Sequence, residues 1–333
     1  MRTLLLSIAV QFLLAVAASG AGASASGAPA QEVARFPTKP INLIVTLPAG
    51  SVLDNVARLV AQQLTEDGGQ PVVVLNRPGA SSAIAMNALA QAPADGYTLL
   101  FGASNLVGQA ATNTRFESAV RKELVPASEV VRGPLVIAVH PEMPVRSIQE
   151  LVSYSKAHPG KLNFGSVGIG SSAHFVMEYF KARTGASLAH VPFAGAPATL
   201  QAALQGDVHV LAETPALVKS YVDSGKLRAL AVTGDQRYAA LPQVPSTTEA
   251  GLPDFDFGFW MGLFAPTGTP QAVVAKLNAA VVAILRKPEV NRRLVGMGYV
   301  PVGSTPQQFS DRVNREISRF ARIAEDSKLR IQE

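Results

Sequence analysis

The chain's most constraining stretch is an apolar segment, Ile41-Asn42-Leu43-Ile44-Val45, that runs through Leu47-Pro48-Ala49-Gly50-Ser51 into a helix-forming segment from about Leu53 to Leu64. An apolar run this short, followed at once by a helix, cannot close a hairpin and needs a crossover to a parallel neighbour. The pattern recurs. Val72 to Asn76 reads as a second strand, Ala83 to Ala92 as a helix stopped by Pro93 and Gly96, and Tyr97 to Phe101 as a third strand entering Gly102-Ala103-Ser104-Asn105. Strand, helix, strand, helix, strand implies an α/β fold with helices covering a parallel sheet. In such sheets ligands bind beyond the carboxyl ends of the strands, where Pro48 to Ser51 and Gly102 to Ser104 both lie.

The first loop reads as an anion cradle. A helix N-terminus exposes backbone N–H groups and carries about half a positive charge, and small residues let an anion come close. Ser51 and Asp54 also have the spacing of a capping box, so capping and ligand contact stand as equal readings of both. Taken alone, Gly102-Ala103-Ser104 reads as an ordinary turn.

A second cradle follows in the middle of the chain. The segment Thr112 to Glu129 is charged and reads as irregular, Pro134 to Pro141 as a strand at a domain crossing, and Ser147 to His158 as a helix. Then Lys161 to Phe164 leads into Gly165-Ser166-Val167-Gly168-Ile169-Gly170-Ser171-Ser172-Ala173-His174 and an apolar helix from Phe175 to Ala182. The order G-x-x-G-x-G is not the dinucleotide fingerprint, and no Gly-Lys-Ser/Thr follows, which favours a carboxylate over a nucleotide. His174 and Glu178 stand four apart but lack the further ligands that zinc requires, and read as a helix-surface pair. No metal and no cofactor is expected.

His190 to Gly195 is another passage from strand to loop, with Phe193 filling the core and Ala194 at the turn. Val208 to Ala212 is apolar and ends in Glu213-Thr214-Pro215; an acid there either caps the next helix or receives a hydroxyl or ammonium of a ligand. Lys226 to Thr233 marks the return crossing. A strand from Phe259 to Pro266, a helix from Pro270 to Leu285 and an amphipathic helix from Pro306 to Glu325 close the chain, and nothing in the last stretch reads as carrying chemistry.

Composition bounds the rest. A chain of 333 residues that is 48% hydrophobic and only 16% charged has material for a large core, and exceeds what one core comfortably supports. Residues 1–26 read as a secretory signal peptide: Arg2, an apolar run from Leu4 to Ala18, then small residues offering several cleavage points. Without that leader 28 basic and 24 acidic side chains remain, too small and scattered an excess to imply nucleic acid. The absence of Cys removes disulfides, thiolate chemistry and lipid attachment at an N-terminal Cys. Neither G-x-S-x-G nor H-E-x-x-H is present, which disfavours a hydrolase.

Many ordered segments together resemble one family. They are Phe36-Pro37-Thr38-Lys39-Pro40-Ile41, Pro48-Ala49-Gly50 with Asp54 and Ala57-Arg58, Asn76-Arg77-Pro78-Gly79-Ala80, Ala94 to Leu100, His158 to Phe164, His190-Val191-Pro192-Phe193, Gly225 to Val232, Glu249-Ala250-Gly251 and Gly262 to Pro266. The chain resembles the solute-binding receptors of tripartite tricarboxylate transporters, the Bug-type receptors. The resemblance implies a two-lobed periplasmic binding protein fold of type II. One lobe would comprise residues 34–136 and 234–333, the other 137–233, with the ligand between them.

It further implies a soluble monomer in the periplasm that captures a small carboxylate and delivers it to a two-component membrane permease; an orphan receptor serving a signalling partner would use the same lobes. The carboxylate would be held by Pro48, Ala49, Gly50, Ser51 and Asp54 on one side and by Ser166, Gly168, Gly170, Ser171 and His174 on the other. Gly102, Ala103, Ser104, Ala194 and Thr214 would contribute, and Glu213 would read the rest of the ligand. Against the family pattern Ser51 replaces a second glycine, Val52-Leu53 is bulkier, Ala194 stands where Lys is frequent, and Glu213 replaces an Asp. The longer acid leaves a zwitterionic ligand as open as a dicarboxylate.

Overall fold

The computed structural model describes residues 35–327 and 329; the expected signal peptide, residues 1–26, lies outside the described residues. From Lys39 onward the chain forms one compact unit. In order come β1 (Ile41–Val45), a helix Val52–Gly68, β2 (Val72–Asn76), a short 3-10 turn Ala80–Ser82 with a helix Ala83–Ala90, and β3 (Thr98–Ala103). Helices Asn105–Thr112 and Thr114–Glu123 precede β4 (Leu124–Pro134) and β5 (Val136–Val139). Next are the helix Ile148–Ala157, β6 (Asn163–Ser166), the helix Ser172–Thr184, β7 (Ala189–Pro192), the helix Ala196–Gln205, β8 (Val210–Glu213), the helix Pro215–Asp223 and β9 (Arg228–Val232). The chain closes with β10 (Gly258–Pro266), helices Gln271–Arg286 and Pro288–Gly296, β11 (Val300–Pro301) and the helix Pro306–Asp326.

These strands make two sheets. The first has the order β11-β4-β10-β3-β1-β2 and the second β7-β6-β8-β5-β9. The chain leaves the first sheet between Pro134 and Val136 and returns between Val232 and Gly258, so each sheet is the floor of one lobe. Neither is purely parallel. β1 lies parallel to β2 and β3, and β6 to β7 and β8, but β5 and β10 run antiparallel to their neighbours. Those two strands arrive from the other lobe, so they begin at the cleft where β1, β3, β4, β6, β8 and β9 end. The remaining antiparallel contact is the short β11 on β4.

Each lobe has its own core. Leu43 and Val45 of β1, Leu99 to Phe101 of β3 and Trp260, Leu263 and Phe264 of β10 are buried in the first, and Val136, Ala138, Leu211 and Val218 cluster in the second. The helix Pro306–Asp326 starts at a complete capping box, Thr305 with Gln308, and buries Phe309, Val313, Ile317 and Phe320 at helical spacing. It packs on the helix Asn105–Thr112 of the first lobe and the helix Ser172–Thr184 of the second. Across that junction Phe320 stacks on Phe175 with centroids 4.5 Å apart.

Two local expectations are corrected. The charged segment after Thr112 is not irregular: Asn113 caps a helix by accepting from Phe116 N at 2.8 Å, Glu117 pairs with Arg121, and only Val120 is buried. A charged composition with a single buried position hid the helical period. Strand β4 then begins ten residues before the expected strand, carrying a buried Glu129 whose charge Arg132 meets through two bonds of 2.9 and 3.0 Å. Nor are His174 and Glu178 a surface pair. Their helix is wedged against strands and other helices, both side chains are buried, and Glu178 bonds Lys181 at 2.8 Å while standing 3.9 Å from His174.

Candidate functional site

At the end of β1 the backbone turns through Gly50, whose φ of +78° suits glycine and strains other residues. The turn is held from behind. Gly50 N–H donates to Asp54 Oδ2 at 2.8 Å, while Asp54 N–H donates to Ser51 Oγ at 3.2 Å. Ser51 is therefore the N-cap of the helix Val52–Gly68, and Asp54 grips the residue before it. Asp54 is almost wholly buried and also accepts from Arg58 Nε and Asn76 Nδ2, both at 2.9 Å. Burial alone would raise its pKa, but the hydrogen bonds from Arg58, Gly50 and Asn76 outweigh that and hold it below the ordinary value. Asn76 Nδ2 also reaches Leu47 O at 3.0 Å, tying the loop to the end of β2.

This changes which groups face a ligand. The N–H of Gly50 is already used, and Pro48, Ala49 and Gly50 are exposed to solvent outside the cleft lining. Leu47, Val52 and Leu53 line the cleft instead. Val52 and Leu53 are the first two helical residues, so their N–H groups are the ones a helix leaves without an internal partner.

The second cradle repeats the arrangement. Ser166 is fully buried; its Oγ accepts from Gly168 N at 3.2 Å and lies 2.7 Å from His190 Nε2. Gly168 and Gly170 take φ of +113° and +83°. Ser171 caps the helix Ser172–Thr184 by accepting from His174 N, leaving the N–H groups of Ser172 and Ala173 at the cleft. His174 lies beneath the loop, not in the lining: its Nδ1 accepts from Gly170 N at 3.3 Å, and its ring stacks on His190 with centroids 4.0 Å apart. Burial, then the neighbouring His190 and Lys181, depress its pKa to about 3, so the ring is neutral with its proton on Nε2.

The second cradle touches the turn and helix after β3. Ser104 Oγ at the end of β3 and Ser172 Oγ lie 2.9 Å apart, and Gln109 Nε2 reaches Ile169 O at 3.5 Å. The chains are so close that a Cβ on Gly108 would lie 1.9 Å from Gly170 O. Between them opens a cavity of about 420 Å³. Ala103, Ser104, Gly170, Ser171, Glu213 and Thr214 line it; Gly102 is packed beneath, against Leu106, and Ala194 lies outside, its place taken by Ala196.

Glu213 is buried in this wall, where its carboxylate accepts only Thr214 N–H, at 3.3 Å, among the described residues. Desolvation raises its pKa to about 7, with the Thr214 bond acting the other way. Sequence reasoning missed Leu135, Leu217, Phe259, Met261 and Tyr299 in the lining, and the amides of Asn105 and Gln109 beside them. Tyr299, pushed up to about 12 by burial and by Tyr238, meets Phe259 edge to face at 5.4 Å. Their apolar context signals only core. No Lys, Arg or His lines the cavity, and no group of three or more His, Cys, Asp or Glu among the described residues could hold a metal ion. The arrangement thus offers backbone N–H groups and hydroxyls to an anion at one wall, one acid at another, and apolar surface between.

A wider depression of about 650 Å³ lies by Arg132, Arg237 and Arg312, but its arginines are already committed, Arg132 to Glu129, Arg237 to Glu249 and Arg312 to Glu316.

A family model described as "Tripartite tricarboxylate transporter family receptor" matches residues 56–329. Protein BugT of Bordetella pertussis is 34% identical over 299 residues, covering 89% of this chain and 92% of the relative. Among solved structures, Rpa4515 of R. palustris with adipate has a TM-score of 0.76 at 33% identity, covering 87% of this chain and 97% of that one. MatC of Rhodopseudomonas palustris with bound malate has a TM-score of 0.74 at 30% identity, covering 86% and 99%.

Proposed function

Because the chain belongs to the tripartite tricarboxylate transporter receptor family, we propose that it is a periplasmic receptor that captures a small carboxylate between its lobes and hands it to a two-component membrane permease. The lobes are residues 34–136 with 234–333, and 137–233. One observation carries the reading: two helix N-termini, Val52 and Leu53 from one lobe and Ser171 to Ala173 from the other, border the same cavity, with no basic side chain in its lining to take their place. Their aligned dipoles and unused N–H groups suit one carboxylate. Ser104 and Ser172 supply hydroxyls beside it, Asp54 and His174 hold the two loops from behind, and Glu213 with Thr214 faces the rest of the ligand. Adipate and malate, bound by two of the similar structures, are carboxylates, which supports this class. The protein acts as a monomer.

The test is a thermal-shift panel of organic acids, aromatic carboxylates, amino acids, sugars and nucleotides on the protein without its leader. A ligand at a hundred times its Kd stabilises by about 2.7 kcal/mol, a shift of several degrees. Stabilisation by a sugar or nucleotide and by no carboxylate overturns the reading, and turnover of the bound compound returns the enzyme alternative.

A further inference from the structure

Glu213 supplies the one carboxyl group of the cavity lining, and the structure leaves it underused. The residue is 7% exposed; Oε2 accepts Thr214 N–H at 3.3 Å, and Oε1 has no hydrogen-bond partner among the described residues. No cation answers it. The elements packed on β8 are β5, β6 and the helices Ala196–Gln205 and Ser172–Thr184. The first three carry no ionisable side chain. On the fourth, Glu178 is tied to Lys181 and Tyr179 to Arg183, and all four lie outside the lining with His174. In the helix after β8, Tyr221 is outside the lining and Lys219 pairs with Asp223. The other ionisable group of the lining is Tyr299, which comes from the first lobe. Its segment abuts the start of that same helix: a Cβ on Gly298 would lie 3.0 Å from Ala216 Cβ, three residues past Glu213.

Resting on the carboxylate-receptor reading above, we propose that the ligand is a dicarboxylate whose second carboxylate is received by Glu213 in its protonated form, so that capture takes up one proton from solvent. The first carboxylate takes the helix N-termini. The lining amides belong to that region: Asn105 and Gln109 lie on the helix that starts beside Ser104, where Asn105 Nδ2 donates to Ser82 Oγ at 3.1 Å and Gln109 Nε2 reaches Ile169 O. Beside Glu213, Tyr299 offers a hydroxyl donor, but an ionised Glu213 opposes any second anion there. Two carboxylates in one desolvated site cannot both stay charged. A shared proton removes the conflict: the Glu213 O–H donates to a ligand carboxylate oxygen, and the pair carries one negative charge. Burial prepares the acid for this, raising its pKa to about 7 before any ligand arrives. Above that pH the unbound acid is ionised and must be protonated to bind, so affinity falls as pH rises. Below it the proton is already in place.

The test is calorimetry of succinate, glutarate and adipate beside hexanoate and 6-aminohexanoate, at pH 8 in two buffers of different ionisation enthalpy and then from pH 7 to 9. The tightest diacid is expected to take up about 0.5–1 proton per site at pH 8, and its Kd to rise at least about tenfold between pH 7 and 9. Hexanoate, which lacks the second carboxylate, should take up less than half as much. Glu213→Gln should abolish the uptake and flatten the pH dependence; the wild-type buffer series stands without the variant, whether or not it folds. Uptake below about 0.2 proton by the tightest diacid, a Kd constant from pH 7 to 9, or binding by none of the diacids overturns the inference. The carboxylate reading survives each of these results where any of the five acids binds. Binding of a sugar or nucleotide and of none of the five overturns both.

Discussion

Replacing Gly108 with alanine drives a methyl group into the backbone of the opposite lobe. The added Cβ would lie 1.9 Å from Gly170 O and 3.0 Å from its carbonyl carbon, with Phe175 Cε2 at 3.3 Å. Backbone atoms offer no rotamer to relieve the clash. A carbon needs about 3.3 Å from a carbonyl oxygen, so the helix Asn105–Thr112 and the loop at Gly170 must part by about 1.4 Å. That separation breaks the Ser104 to Ser172 hydrogen bond of 2.9 Å and the weak Gln109 to Ile169 contact. Overpacking costs about 1–3 kcal/mol and a lost hydrogen bond about 1 kcal/mol, so the joined arrangement loses about 2–4 kcal/mol. If the junction of the second cradle with the turn and helix after β3 is what shapes binding, the lower figure weakens affinity by about 30-fold. Isothermal titration of the tightest carboxylate into wild type and Gly108→Ala reads this directly. Gly296→Ala, whose Cβ meets nothing within 4 Å at a helix end, is the control and should bind as wild type. Affinity within twofold of wild type in Gly108→Ala would refute the idea that contact between this helix and the second cradle shapes the site.

Asp54→Ala removes the acceptor of Gly50 N–H and of Asn76, and strands part of the Arg58 charge; Arg58 is half exposed and Asn76 keeps Leu47 O, so the cost is about 2–4 kcal/mol, read as a melting-temperature drop of about 4–8 °C. Because the folded pKa of Asp54 is depressed, its contribution is present above the ordinary carboxyl range and fades as pH falls through the folded value, so the gap between wild type and variant should close in strong acid. Glu213 has the opposite sign. Its folded pKa is raised to about 7, so between about pH 4.5 and 7 the folded state binds more protons than the unfolded one and stability falls as pH rises. Glu213→Gln should therefore gain on wild type by up to about 3 kcal/mol between pH 4.5 and 8, measured by denaturant melts; an equal difference at both pH values contradicts the burial argument. Phe320→Ala, at the stacked junction between the lobes, should cost about 3–5 kcal/mol in the same melts, and a loss under 1 kcal/mol would show that the junction is loosely packed.

How the site was legible depends on the kind of signal each residue carries. Strand-loop-helix order is written in local composition, so β1, β3 and β6 and the helices after β1 and β6 were readable, as was the cap Ser51, whose role rests on a three-residue reach; the helix after β3 and the capping by Ser171 were not. What local reading assigns badly is the direction a polar group faces. Gly50 and Asp54 looked like ligand contacts, yet the Gly50 N–H points back to Asp54, a geometry fixed by Asn76, distant in sequence. His174 looked like a site residue and instead supports Gly170 from beneath, because its helix is buried by elements from both lobes. Phe259, Met261 and Tyr299 were unreadable as lining residues: the first two lie on a strand that only the pairing of β10 with β3 and β4 brings to the cleft, and Tyr299 precedes β11, which pairs with β4.

The central claim is that one carboxylate is bound by helix N-terminal N–H groups contributed by two lobes. Calorimetric titration of the tightest monocarboxylate beside its own primary amide tests it most directly, since the amide keeps size and apolar body while removing the charge. The account predicts binding of the acid and at least a tenfold weaker Kd for the amide. Equal affinities for acid and amide would contradict it.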